Sequence, residues 1–385
     1  MAASVLRKGI DTMRASDWTR RDFFRTTAGA ALLGAWTACG AAEKSAEQVP
    51  WLDEVQRPPS RTLEPIQLSP LLQDAAGNRL TTVAAWERRR AELRSQWQEL
   101  LGSFGPNRGP VPALRVLEED VVDNVVRQRV GYQIEPGIET EAYLLRPREM
   151  PAKPQPGVVV FHSTVDHSIR QPAGVEGVPE KAFGLRLARR GYVTFSPRNY
   201  LWPTNTKIQA EGEAKRFLAR KPGVTGMAKM LFDAQVAVDI LAAQPGVDTN
   251  RLGAVGHSLG AKEVLYLAAF DDRIRCTVSS EGGVGMKFSN WNAPWYLGAA
   301  FEKIRAQHEH HELLAMAAPR PFLLIGGDSA DGDPSWPFIA AALPVYRLYT
   351  PVPALGLLNH RLGHAVPPIA EARIDQWLDT YLQAT

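Results

Sequence analysis

Leu252-Gly253-Ala254-Val255-Gly256-His257-Ser258-Leu259-Gly260-Ala261-Lys262-Glu263 contains three signals in succession. Leu252 to Val255 is a short apolar run with the composition of a buried strand, Gly256-x-Ser258-x-Gly260 follows it, and Ala261 to Phe270 is a run of helix formers. A strand, a tight turn and a helix are what a nucleophile elbow requires. The turn is so sharp that side chains at positions 256 and 260 would collide with neighbouring backbone, and the serine hydroxyl projects into a cleft beside the helix N-terminus. Ser258 is therefore the expected nucleophile.

Working outward, the same alternation of apolar runs and helical stretches recurs. Val158 to Phe161, Tyr192 to Phe195, Cys276 to Ser279 and Phe322 to Ile325 read as further strands. Continuous apolar strands separated by helices indicate a parallel sheet covered on both faces. Between Ala113 and Pro147 the pattern is one of alternation, over Val121 to Val130 and Thr140 to Leu145 with Pro136-Gly137 as a turn, which predicts antiparallel strands. Val83 to Leu101 has helical spacing, with Trp86, Leu93, Trp97, Leu100 and Leu101 on one side and Arg88, Arg89, Arg90 and Glu92 largely on the other. The fold class is α/β, a mostly parallel sheet with helices on both faces, preceded by an N-terminal helix and antiparallel strands. The expected division is a signal at 1–39, a polar linker at 40–82, the N-terminal helix and strands at 83–130 and a catalytic domain at 131–385.

A serine hydroxyl needs a base, and the base needs an acid that fixes its tautomer and stabilises the imidazolium. The base is expected late in the chain. His364 directly precedes the amphipathic terminal stretch Ile369 to Leu382 and is the expected base, while His360 reads as a supporting residue. Two carboxylates compete for the role of acid. Asp331 follows the strand Phe322 to Ile325, with Asp328 and Asp333 beside it, and Glu281 follows the strand Cys276 to Ser279. The oxyanion hole is expected from the Leu259 amide and a second backbone donor at Ser163 or Thr164, after the strand Val158 to Phe161.

These residues carry a family resemblance. The chain from about 130 to 382 resembles the α/β-hydrolase superfamily in its dienelactone-hydrolase and acetylxylan-esterase-like bacterial branch, and more distantly the glucuronoyl esterases of carbohydrate esterase family 15. The stretches that carry it are GHSLGAKE at 256–263, SSEGG at 279–283, HELLAMAAPRP at 311–321 and the loop around His364. The glucuronoyl-esterase likeness implies Glu281 as the acid and Lys262, one helical turn beyond the serine, as a sugar contact. Those enzymes normally place arginine directly after the serine, where this chain has Leu259.

Other residues have two readings. Trp291, Trp295 and Trp336 lie in loops after strand ends and suit either sugar stacking or buried packing. Arg198 could hold an anionic substrate group or a structural salt bridge. In His308-Glu309-His310-His311 only His308 and His311 share a helix face, so a structural or substrate-lining role is expected and no metal.

The composition bounds the rest. In 385 residues, 45% hydrophobic and 22% charged, Lys and Arg exceed Asp and Glu by a net +3 with no long block of like charge, so no footprint for nucleic acid exists. Two cysteines, Cys39 and Cys276, offer neither a disulfide framework nor a zinc site, and no cofactor is expected. Thr19-Arg20-Arg21-Asp22-Phe23-Phe24-Arg25 reads as a twin-arginine motif, followed by the apolar run Thr26 to Ala38, which predicts export of the folded protein by the Tat translocase. Thr37-Ala38-Cys39-Gly40 resembles a lipobox with Trp36 where leucine is usual, leaving a lipid anchor at Cys39 open. The sequence therefore predicts an exported, periplasmic or extracellular serine esterase acting on an acetylated or uronate-esterified carbohydrate. A peptidase, a lactone hydrolase or a carbohydrate-binding relative without catalysis are the alternatives.

Overall fold

Successive apolar residues in the central strands pack into different cores: Val158 and Val160 face one, Val159 and Phe161 the other. Such strands must be covered on both sides, which is why helices flank them. The computed structural model describes residues 49–104 and 108–383. The twin-arginine motif, the apolar run after it and Cys39 lie outside the described residues.

The strands are β1 (Arg115–Val122), β2 (Val125–Glu135), β3 (Ile138–Pro147), β4 (Gln155–Phe161), β5 (Val193–Pro197), β6 (Val247–His257), β7 (Ile274–Ser280), β8 (Phe322–Gly326) and β9 (Leu355–Asn359). They form one sheet in the order β1-β2-β3-β5-β4-β6-β7-β8-β9. Pairings from β1 to β5 are antiparallel, and the six strands from β5 to β9 in that order are parallel. The helices are α1 (Leu52–Val55), α2 (Val83–Leu101), α3 (Phe183–Arg189), α4 (Ala210–Arg220), α5 (Gly226–Ala242), α6 (Leu259–Phe270), α7 (Phe301–Arg305), α8 (His311–Met316), α9 (Trp336–Tyr346) and α10 (Pro368–Leu378). Helices α2, α5, α6, α8 and α9 pack into the core on one face, and α1, α3 and α10 into that on the other. This is the α/β-hydrolase fold.

Helix α2 spans the predicted residues. Thr82 caps it by accepting from the Ala85 amide at 3.2 Å, and Trp86, Leu93, Trp97 and Leu101 are buried. Burying each of these side chains contributes roughly 1.5–3 kcal/mol. Arg90 departs from the predicted outer face: it is buried, with Nε donating to Met316 O at 2.7 Å and the guanidinium also on Asp272. Its position on the helix faces a carbonyl and a carboxylate that make burial tolerable.

Three boundaries need correction. The division at 130/131 falls inside β2, and the antiparallel strands belong to the same sheet as the rest. The alternation read across Val121 to Val130 is broken at Asp123 and Asn124, whose φ values of 47° and 63° make the tight turn between β1 and β2. The stretch read as a linker at 40–82 is packed in part: Val49, Leu52 and Val55 are buried against β9 and α10 and Leu71 against the other core, while most residues from 57 to 82 are exposed. Two apolar residues in a four-residue helix, with Val49 three residues before it, are too short a pattern to stand out from a polar segment.

Candidate active site

Every candidate catalytic residue lies just beyond the C-terminal end of a parallel strand. Ser258 follows β6 in the left-handed region, with φ 60° and ψ −114°. A Cβ on Gly256 would come within 2.2 Å of the Gly260 carbonyl oxygen, and one on Gly260 within 2.4 Å of the Phe161 carbonyl oxygen. Only glycine lets α6 pack this close to β4, and that closeness forces the elbow. The Ser258 amide donates to Ser280 O at 2.8 Å, so the elbow is also stitched to the end of β7.

Glu281 is the first residue after β7, with φ 56°. Its carboxylate is fully buried and accepts from the Gly327 amide, from the Ala330 amide at 2.7 Å, and from His364 Nδ1 at 3.2 Å. With Nδ1 turned to the carboxylate, Nε2 is the nitrogen left for chemistry. The His364 side chain is two-fifths exposed, and Ser258, Glu281 and His364 line one cleft of about 260 Å³. The ring of His257, which is buried, lies 4.6 Å from that of His364, and Lys181 Nζ donates to the His364 carbonyl at 3.2 Å.

Asp331 feels the charge of Glu281, and its hydrogen bonds go to the loop after β7 and to Ser335 instead of His364. Its buried carboxylate accepts from the amides of Gly283 and Val284, each at 2.7 Å, and from Ser335 Oγ at 2.9 Å. It ties down the loop after β7. Asp333 and Asp328 take Arg361 and Asn359 as partners. His360 is held in the turn, its Nδ1 accepting from the Leu362 amide at 3.1 Å.

For the oxyanion hole, Leu259 opens α6, so its amide is among the first-turn donors without an intrahelical partner. Ser163 is a correction: its amide donates to Gln171 Oε1 at 3.1 Å and is committed. Thr164, next along, lines the cleft.

Lys262 also lines the cleft, with Nζ on Gly282 O, 2.8 Å from Ser289 Oγ and 4.2 Å above the ring of Trp291. Burial lowers its pKa to about 7, partly opposed by the charge of Asp331. Trp291 is fully buried and donates to Gly283 O at 2.8 Å, so it supports Lys262 from beneath and does not line the cleft. Trp336 opens α9 and packs against the core. The aromatic residues that do line the cleft are Trp295 and Tyr296, accompanied by Ser289, Asn290, Leu201 and Ile208. Tyr296 adjoins a tryptophan singled out by sequence; the segment holding Leu201 and Ile208 carries no signal of its own. Arg198 is structural: its amide donates to Glu141 O at 2.9 Å and its guanidinium lies 3.9 Å from the Glu141 carboxylate.

The histidine cluster is dispersed. His308 Nδ1 pairs with Glu312 at 2.7 Å, His310 Nε2 meets Tyr266 Oη at 2.9 Å, and His311 Nε2 meets Ser69 O at 2.9 Å. Among the described residues no three His, Cys, Asp or Glu side chains converge as a metal site.

Comparison with known proteins bears on the family and the fold. Residues 140–308 match the dienelactone hydrolase family, a span holding Ser258 and Glu281. The chain is 27% identical over 254 residues, 62% of its length and 80% of the other's, to YtaP of Bacillus subtilis (strain 168), which is named as a hydrolase. It is 27% identical over 143 residues, 32% of this chain and 33% of the other, to a carbohydrate esterase from an unknown prokaryotic organism. A glucuronoyl esterase from Solibacter usitatus superposes with a TM-score of 0.64 at 19% identity, covering 83% of this chain and 98% of that one, which reflects a shared fold. The resemblance read from the sequence holds at the level these matches reach: residues 140–308 match the dienelactone hydrolase family, and the chain shares its fold with a glucuronoyl esterase.

Proposed function

We propose that this protein hydrolyses carboxylic esters on carbohydrates, acetyl or uronate esters, through an acyl-enzyme on Ser258. The observation that carries this reading is the contact of His364 Nδ1 with the buried Glu281 carboxylate at 3.2 Å, in the cleft that also holds Ser258 on its elbow. In the proposed reaction, Ser258 Oγ attacks the ester carbonyl carbon while its proton passes to His364 Nε2. Glu281 keeps the imidazole in the required tautomer and stabilises its positive charge. The Leu259 amide and a donor at Thr164 receive the oxyanion. Collapse breaks the ester C–O bond, and the leaving alcohol takes the proton from His364. Water, deprotonated by the same histidine, then releases the acid.

A carbohydrate substrate is supported by the aromatic faces of Trp295 and Tyr296 beside the polar Ser289, Asn290 and Lys262, and by the likeness to carbohydrate esterases. Replacing Ser258 by Ala should lower turnover of p-nitrophenyl acetate by several orders of magnitude with the fold intact. His364→Ala should do the same, whereas His360→Ala should not. Retention of more than about a tenth of the activity by Ser258→Ala sinks the assignment. Release of acetate from acetylated xylan, set against cleavage of a methyl glucuronate ester, distinguishes the two ester classes.

A further inference from the structure

Arg61 lies between α1 and α2, well before the residues that match the dienelactone hydrolase family. Its Nε donates to Asp333 Oδ2 at 2.7 Å. The Asp333 side chain is only 3% exposed, and its other donors are Asn359 Nδ2 at 2.8 Å and Arg361, 2.9 Å from each oxygen. Asn359 ends β9, and Arg361 stands three residues before His364. One buried carboxylate therefore joins the N-terminal segment to both ends of the turn that leads to the proposed base.

The loop needs such support for two reasons. Strand β9 is the last of the sheet and is paired on one side only, with β8. Arg361 has φ 60°, a left-handed conformation that an L-residue keeps only when its surroundings over-determine it. The N-terminal segment is itself fixed to β9: Gln56 Nε2 donates to Leu355 O at 3.0 Å, and Val55 lies so close to Gly356 that a Cβ there would come within 2.4 Å of Val55 Cγ2.

We infer that Arg61 is a positioning residue for His364, acting through Asp333 and Arg361, so that the segment at 49–61 is a working part of the active site. The inference rests on the reading of His364 as the base. Arg61 is half-exposed, and without it the buried Asp333 keeps Asn359 and Arg361 as donors, so its loss costs little stability; its effect is therefore expected in the placement of the loop, where a shift of about 1 Å can cost ~10²-fold in rate.

The test uses the full chain and p-nitrophenyl acetate. Arg61→Ala should lower kcat about tenfold with KM within about twofold and thermal unfolding near that of the native protein. Hydrogen exchange should quicken in peptides covering 360–364, and Arg61→Lys should restore part of the loss by returning the charge. Asp333→Asn should show the larger version of the same pattern; if it does not fold, the exposed Arg61 decides alone. A kcat for Arg61→Ala within about twofold of the native value, or unchanged exchange at 360–364, overturns the inference. Ser258→Ala measured alongside separates the two claims: if it is still active the proposed function fails, and if it is inert while Arg61→Ala is unimpaired only the role of Arg61 fails.

Discussion

Glu281 and Asp331 stand at the ends of adjacent strands, both buried, and differ in what their oxygens face. Glu281 gives one oxygen to His364, whereas both Asp331 oxygens are taken by the Gly283 and Val284 amides and Ser335. Glu281→Gln should therefore cost far more, up to ~10⁴-fold in kcat, because an amide can hold the wrong imidazole tautomer and carries no charge to stabilise the imidazolium. Asp331→Asn should cost about tenfold or less, through displacement of the loop after β7. Steady-state rates of the two variants check the ranking, and the reverse order would move the acid to Asp331. Sequence could narrow the choice to these two carboxylates but not decide it. Each follows an apolar strand, and the distinction lies in a left-handed backbone at Glu281 that turns its side chain toward the histidine loop. Ser163 escaped for a similar reason: its amide is consumed by Gln171, eight residues on, and nothing in local composition announces that bond.

Among the elements, the loop after β7 is held from two sides. Asp331 fixes its amides, while Lys262 takes its Gly282 carbonyl and Ser289 hydroxyl over the face of Trp291. The lysine pKa near 7 has a consequence for stability. An unfolded lysine titrates near 10.4, so between about pH 7 and 10.4 the unfolded chain binds a proton that the folded chain lacks, and the contribution of this group to stability rises with pH. Below about pH 7 the cost of burying the charge is complete. In Lys262→Met the dependence is absent, so the native protein should gain on the variant as pH rises from 7 to 9.5 in urea unfolding; a constant or shrinking difference would refute the assignment. Helices α2 and α6 and the central strands were legible because their apolar periodicity is long or bounded by turns. Strand β9 was not, since Leu355-Gly356-Leu357-Leu358-Asn359 is a five-residue run just after Pro351 and Pro353 and carries no alternation.

At the scale of the whole molecule, the fold class was readable from strand and helix alternation, while the packed N-terminal segment was not, because its contacts with β9 and Asp333 link residues roughly 300 positions apart. Export remains a proposal resting on Arg20, Arg21 and the apolar run after them. Substituting both arginines by lysine should leave the protein in the cytoplasm, because the Tat receptor reads the guanidinium pair; a fractionation that finds the Lys-Lys variant outside the inner membrane at native levels rules this route out. The two margins of the sheet are treated differently. On β1, Glu118 and Asp120 pair across to Arg129 and Arg127, so that margin presents charge to any strand that might add to it. On β9, Gln56 already occupies a carbonyl and α1 lies against the strand. Recruitment of a foreign strand, the first step of aggregation, is thus discouraged by charge at one margin and by a covering segment at the other, so that α1 and Gln56 guard colloidal stability beside the turn that Arg61 reaches.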